Sequence, residues 1–413
     1  MSPSWLSDIA DIVMGQSPPG DTCNQSGFGM PLLNGPTEFG SHHPSPLQFT
    51  TDPRKRALQG DLLFCVRGST TGRMNWADQD YAIGRGVAAI RHGKSLRLQP
   101  LVRGLIETQL PTLLQSATGS TFPNVSAKQL GDLQVPNLSD DQQFQAADLL
   151  AALDDKIDLN RRMNETLEAM ARAIFKDWFV DFGPTRAKAE GRAPYLAPEL
   201  WDLFPDALDD EDKPVGWEWG TLADVVESPR RGVSPADVWE NTPYIGLEHM
   251  PRRSIALSEW EGAEKVKSNK TRFNKGEILF GKLRPYFHKV GIAPLDGICS
   301  TDIVVVVPRA QAWGAFALAC LSSDEFVDYT DRTSTGTKMP RTSWTTMAQY
   351  EMCLPPEDAV CAYRGIARPL LDRLCANIHE TSTLAQTRDL LLPKLISGEI
   401  CVAGTENIVE RVL

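Results

Sequence analysis

ATGSTFPNVS occupies residues 117–126 and STGTKMPRTS occupies residues 334–343. The second is a degraded copy of the first, and the register persists into the segment that follows each. Gly119 pairs with Gly336, Pro123 with Pro340, Ser126 with Ser343, Asn160 with Asn377 and Leu167 with Leu384, at an offset of about 217 residues throughout. Upstream the copies continue with small gaps. Gly60-Asp61-Leu62-Leu63-Phe64 matches Gly276-Glu277-Ile278-Leu279-Phe280, Pro31-Leu32-Leu33 matches Pro243-Tyr244-Ile245, and Ala10-Asp11-Ile12-Val13 matches Ala223-Asp224-Val225-Val226. The duplication predicts two equivalent units from one chain, each a mixed domain followed by a long helix, related by a pseudo-two-fold. Such an object suits a target that also has two halves.

The helices carry heptad spacing. Ala146, Leu150, Leu153, Ile157, Asn160, Asn164, Leu167, Ala171, Ile174 and Trp178 fall at alternating intervals of four and three, and Tyr363, Ala367, Leu370, Leu374, Asn377, Thr381, Leu384, Arg388, Leu391 and Leu395 do the same. Both seams are polar at their middle. Asn160, Asn164, Asn377 and Thr381 are therefore expected to form a polar belt that fixes register between antiparallel partners. Asp140-Asp141 is expected to cap the first helix, Pro184 to end it, and Pro393 to kink or end the second. A helix of about 40 residues is a rod near 60 Å long.

The domains alternate short β-branched runs, such as 303–307 and 62–64, with Gly/Pro-rich turns, which predicts largely antiparallel sheet with a few short helices, one over 313–321. Just after the repeated strand, each unit carries a polar, basic loop: RGSTTGR at 67–73 and KLRPYFHK at 282–289. The loops share position and not sequence, as two readers of different base sequences would. Arg67, Ser69, Thr70 and Arg73 in the first, and Lys282, Arg284, Tyr286 and Lys289 in the second, are the expected DNA contacts. Thr121, Thr337, Lys338 and Arg341 in the repeated 117–126 and 334–343 segments should lie on the same faces.

The net charge of −11 argues against a nucleic-acid binder until it is localised. Residues 1–138 carry about +1 and 216–356 about −1, whereas 139–215 carry about −9 and the remainder about −2. The acid sits in the first helix and the stretch after it, so each repeated domain is near neutral and free to present a basic face. Eight cysteines are scattered without a Cys-x-x-Cys pair, which indicates reduced, mostly buried thiols. His42-His43 has no neighbouring ligand cluster in sequence, and no metal site is expected. The absence of a long apolar run or a leader-like start predicts a cytoplasmic protein.

Catalytic motifs fail on inspection. GEILFGK at 276–282 fits G-x-x-x-x-G-K, but Leu283 follows where magnesium needs Ser or Thr. GSTTG at 68–72 resembles a nucleophile elbow with Thr70 in the nucleophile position and no triad. Pro205-Asp206 with Glu211-Asp212-Lys213 is too tightly spaced for a nuclease set. No Asn-Pro-Pro-aromatic methylation motif occurs, so no catalytic residue is expected.

The stretch LDDKIDLNRRMNETLEAMARAIFKDWFVDFGPTRAKAEGR at 153–192, with LWDLFPDAL at 201–208 and Gly216-Trp217-Glu218, closely resembles the specificity (S) subunit of type I restriction-modification enzymes. LSDIADIVMGQSPPG near the start and LLLPKLISGEI at 390–400 resemble that family's first recognition domain and C-terminal conserved region. The resemblance implies an α+β fold with two pseudo-symmetric mixed α/β target recognition domains, 1–138 and 216–356, separated by two long antiparallel coiled-coil helices, 139–182 and 357–400. An acidic linker over 183–215 and a tail over 401–413 complete the chain. It further implies a non-catalytic, DNA-binding subunit that reads a bipartite asymmetric duplex site. Two adenine methyltransferase (M) subunits would dock on it, through exposed apolar residues such as Phe175, Trp178 and Phe179, and restriction/translocase (R) subunits would join them. S-adenosylmethionine, ATP and Mg belong to those partners and no cofactor to this chain. The contrasting possibility is a DNA-independent coiled-coil scaffold. Divergence of the two basic loops favours the first.

Overall fold

The computed structural model describes residues 4–40, 42–117 and 123–400. The chain divides into two compact units, Met1–Asp158 with Thr383–Leu413, and Leu159–Ser382. The boundary falls inside both long helices, Asp140–Phe175 and Glu357–Ser397, so each unit holds a segment of each.

In the first unit a four-stranded antiparallel sheet runs in the order Ala10–Met14, Val87–His92, Leu62–Cys65, Met74–Trp76. Side chains of Leu62–Cys65 alternate between two cores. Leu62 and Phe64 pack with Leu101 and Leu105 of the helix Gln99–Ser116 and with Leu150 and Leu395 of the long helices. Leu63 and Cys65 pack with Leu33, Tyr81 and Ile83 of a second sheet. This is the period-two pattern of a strand buried on both faces; each such apolar side chain contributes about 1.5–3 kcal/mol by leaving water.

The second unit repeats the frame. Its four strands run Val226–Glu227, Ile303–Pro308, Ile278–Gly281, Val290–Ile292. Ile278 and Phe280 face the helix-side core with Phe316 and Val360, and Leu279 faces the other with Ile245 and Cys299. The turn before the shared strand needs a left-handed residue in both copies: Gly60 has φ 87° and Gly276 φ 84°.

The second sheet of each unit contains one parallel pair, Met30–Leu33 with Tyr81–Ile83 and Pro243–Ile245 with Gly297–Cys299, within the otherwise antiparallel arrangement expected. The order is Cys23–Asn24, Gln48–Thr50, Met30–Leu33, Tyr81–Ile83, Arg56–Ala57 in one unit. In the other it is Gly232–Val233, Lys270–Phe273, Gly297–Cys299, Pro243–Ile245, Glu261–Gly262. Four strands correspond. The fifth is added beside Gln48–Thr50 in the first unit and beside Lys270–Phe273, at the opposite edge, in the second.

The long helices pair antiparallel within each unit. Arg388 donates to Asp154 at 2.8 Å in the first; the Tyr363 hydroxyl donates to the Ala171 carbonyl at 3.1 Å in the second. Gly104 of the helix Gln99–Ser116 allows close approach in the first unit, since a Cβ there would lie 2.5 Å from Leu392.

Several expectations are corrected. Ser139, and not Asp140, caps the central helix: its hydroxyl accepts the Gln142 N–H at 3.2 Å while Gln142 accepts the Ser139 N–H at 2.9 Å. That helix ends in a π-helical turn, Lys176–Val180, and Pro184 opens the next helix, Gly183–Ala189. The C-terminal helix continues through exposed Pro393 to Ser397, where Gly398 at φ 74° ends it. Leu371, buried, replaces Leu370 in its seam. The acidic stretch over 183–215 is no free linker: Phe204 and neighbouring Trp217 are buried in the second unit's core. Residues 401–413 lie outside the described residues. The seven cysteines among the described residues are free thiols, four of them buried.

Candidate nucleic-acid interface

In both units the basic loop is laced to the repeated loop far downstream. Arg67 bridges Asn124 in antiparallel fashion, Gly68 N–H donates to the Pro123 carbonyl at 3.3 Å, and the Thr71 hydroxyl donates to the same carbonyl at 2.9 Å. In the second unit Leu283 bridges Arg341, Arg284 N–H donates to the Pro340 carbonyl at 2.7 Å, and Thr342 N–H to the Lys282 carbonyl at 3.0 Å. Paired backbones hold the side chains of two loops distant in sequence on one surface of each unit.

Arg67 and Ser69 are exposed on that surface and Thr70 half-buried. Arg73 is spent differently: its guanidinium donates to the carbonyls of Pro36 at 3.4 Å and Phe39 at 3.2 Å. Thr121 lies outside the described residues. In the second unit Thr337 and Lys338 are exposed, Lys282 and Arg284 half-buried, and Tyr286 exposed. Arg341 is exposed and paired with Asp302 at 3.4 Å.

Lys289 must be corrected as a DNA-facing cation. Its ammonium donates to the Leu247 carbonyl, and burial, with Arg252 nearby, holds its pKa below the usual lysine value. Arg73 and Lys289 stand at equivalent places, each immediately before the strand following its loop, and each binds carbonyls of the segment after the shared parallel strand. Each ties its loop to that segment, Arg73 while still exposed and Lys289 half-buried.

Backbone strain gathers in and beside the second unit's loop. Arg284 (φ 52°), His288 (φ 52°) and Arg253 (φ 56°) are left-handed, three of the five such non-glycine residues described. Residues held this way cost about 1–3 kcal/mol each and persist where the surroundings over-determine them. Here Arg253 N–H donates to the His288 carbonyl at 2.9 Å, and buried His288 Nε2 lies 2.9 Å from the Ser322 carbonyl. Burial lowers the His288 pKa, opposed by that carbonyl. Sequence reasoning missed Arg252 and Arg253, which fall outside both repeated loops.

The polar belt forms for three of its four residues. Asn160, Asn164 and Asn377 are buried; Asn377 Nδ2 donates to Asn164 Oδ1 at 2.9 Å, and Asn160 Nδ2 to Glu380 Oε2 at 2.8 Å. Thr381 is half-buried, and Glu380 supplies the acceptor that sequence did not single out. A buried carboxylate nearby in sequence, Glu168, accepts the Ile255 N–H at 3.0 Å and the Ser254 hydroxyl at 3.1 Å and pairs with Arg172. Desolvation raises its pKa against those hydrogen bonds.

Phe175, Trp178 and Phe179 are not exposed, which corrects the docking surface expected of them. They are 5%, 2% and 5% accessible and pack on Phe204, Phe316 and Tyr363. Glu248, His249 and Glu261 bring ligand-type atoms within 4.8 Å of one another, a cluster sequence did not suggest. Its His249 Nδ1 already accepts the Gly246 N–H at 3.0 Å, and both carboxylates are exposed.

Residues 2–169 match the type I restriction modification DNA specificity domain. The chain is 26% identical over 292 residues to the type I restriction enzyme MjaIX specificity subunit of Methanocaldococcus jannaschii, covering 69% of this chain and 64% of that one. It is 22% identical over 403 residues to the HindI specificity subunit of Haemophilus influenzae, covering 84% and 88%. Its fold is similar to the solved type I restriction-modification S subunit of M. genitalium, with a TM-score of 0.57 at 16% identity over 95% of each chain. The class defined is a two-unit, helix-paired α+β protein. The chain is similar to the type I restriction enzyme specificity subunits, and its residues 2–169 carry the DNA specificity domain. No helix among the described residues is long and apolar enough to cross a membrane.

Proposed function

We propose that this chain is the non-catalytic DNA-reading subunit of a type I restriction-modification complex, with each unit contacting one half of an asymmetric bipartite duplex site. The observation that carries this reading is the doubled construction of the loop surface. The same two chain segments are hydrogen-bonded together in both units, on one strand frame, with different side chains on each. Phosphate contacts fall to cations such as Arg67 and Lys338, and base edges to side chains the paired backbones hold in place. Two adenine methyltransferase subunits dock on the helices, and restriction subunits join them. S-adenosylmethionine, ATP and Mg reside on those partners. With Phe175, Trp178 and Phe179 buried, exposed Leu159 and Met170 of the central helix and Leu390 of the C-terminal helix offer apolar side chains for docking; the first two, eleven residues apart, share one helix face. The complex acts in the cytoplasm.

The test is gel retardation of the chain purified with its methyltransferase, using a duplex whose sequence is taken from the methylome of the expressing strain. Retention of that duplex over random DNA, with methylation at a split site, supports the reading. Equal retention of both would overturn it, and absence of any retention would leave the scaffold role.

A further inference from the structure

The half-site contacted by the second unit is read by more than its two repeated loops; this inference rests on the DNA-reading role proposed above. Arg252 follows the strand Pro243–Ile245 and the short turn Leu247–His249. Its guanidinium carbon lies 3.9 Å from the centroid of the Phe287 ring, a stacking distance, and that of Arg284 lies 5.8 Å from the same ring. Tyr286 stands beside them, exposed, with its ring 4.8 Å from Phe287 and nearly perpendicular to it.

Three other cations of these loops are committed. Arg253 is paired with Asp324 at 2.8 Å, Arg341 with Asp302, and Lys289 with the Leu247 carbonyl. Arg252 is exposed and forms no ion pair among the described residues. A guanidinium stacked on an aromatic face keeps its N–H donors in plane at the ring's edge, with side-chain freedom already reduced. The support is rigid. Lys289 fixes the Leu247 end of the segment and the hydrogen bond from Arg253 N–H to the His288 carbonyl fixes the other, while left-handed Arg284 and His288 shape the facing loop that carries Phe287. A planar, pre-oriented fork of donors matches O6 and N7 of guanine in the major groove; it also fits the two non-bridging oxygens of a phosphate, an alternative that salt dependence separates. The equivalent segment of the first unit, 34–40, carries no Lys or Arg, so this contact belongs to one half-site alone.

We propose that Arg252 reads a guanine in the half-site bound by the second unit, with Phe287 as its platform and Lys289 as its positioning residue. The test is methylome sequencing of a host expressing the methyltransferase with the wild-type chain, Arg252→Ala or Arg252→Lys. In both variants one guanine position of one half-site should become degenerate, its discrimination falling about 10–100-fold, while the other half-site stays intact. Lysine keeps charge and stem but loses the fork, so it tests the proposal even if the alanine variant fails to assemble. A fully specified half-site in the lysine variant overturns the proposal. So does uniform weakening on all duplexes with a salt dependence reduced by about one contact, which marks a phosphate contact. Absence of sequence-specific methylation by the wild-type complex would instead defeat the DNA-reading role itself.

Discussion

Asn164 and Asn377 form one hydrogen bond, yet removing either should not cost the same. Asn377 donates its Nδ2 to Asn164 Oδ1 at 2.9 Å, and its own buried Oδ1 has no partner among the described residues. Asn164→Leu leaves the buried Asn377 amide with neither end bonded, so the fold loses the pairing of Nδ2 and gains nothing. Stripping a buried donor costs about 1–3 kcal/mol. Asn377→Leu strips Asn164 Oδ1 by a similar amount, but it also removes the orphaned Asn377 Oδ1, which returns about 1–3 kcal/mol. Asn164→Leu should therefore be the more destabilising by about 1–3 kcal/mol. The double variant makes this stretch of the seam apolar and should be less destabilised than Asn164→Leu alone. Urea unfolding of the full chain, followed through tryptophans such as Trp178 and Trp217 in the same unit's core, measures the three differences. Equal costs for the two single variants, or strict additivity in the double, would refute the reasoning.

Other outcomes follow from the buried groups. His288 and His92 have folded pKa values lowered by burial, so the unfolded chain binds their protons more readily and stability should fall as pH drops below about 6.5. His288→Asn, which tolerates the left-handed backbone, should lessen the fall in urea midpoint between pH 7.5 and 5.5. Glu168→Ala removes the acceptor of Ile255 N–H and should cost about 1.5–3 kcal/mol by the same unfolding measurement. Arg67→Ala should weaken binding of every duplex and reduce its salt dependence by about one contact. Arg73→Ala, which frees the carbonyls of Pro36 and Phe39, should alter which duplexes are preferred while leaving that salt slope in place; filter binding across ionic strengths distinguishes the two.

The duplication was legible because strand registers tolerate few changes. Ile278 and Leu279 keep the alternation of Leu62 and Leu63 because a one-residue slip would exchange the two cores. Asn160, Asn164 and Asn377 were legible as polar interruptions in an apolar seam. What covers a side chain was not. The heptad spacing cannot say that Phe204 and Trp217, embedded among carboxylates at 201–217, fold over Trp178 and Phe179. A basic residue in a loop looks the same whether it faces solvent, as Arg67 does, or a backbone carbonyl, as Lys289 does. Arg252 escaped because only the tertiary approach of Phe287 distinguishes it from other surface arginines.

The fifth strand, added at opposite edges of the two five-stranded sheets, bears on how the chain avoids misassembly. A protein that encodes one sheet twice exposes near-identical strand edges while it is still incomplete, and tandem repeats are prone to exchanging strands between copies. In the first unit Gln48–Thr50 is covered and Arg56–Ala57 is the edge; in the second the counterpart Lys270–Phe273 is covered and Glu261–Gly262 is the edge. The strand that would invite its twin in one copy is already occupied in the other. Each repeat thus closes on its own local sequence, through Cys23–Asn24 or Gly232–Val233, and in the folded chain the two sheets leave different edges open, which disfavours pairing of one half with the other.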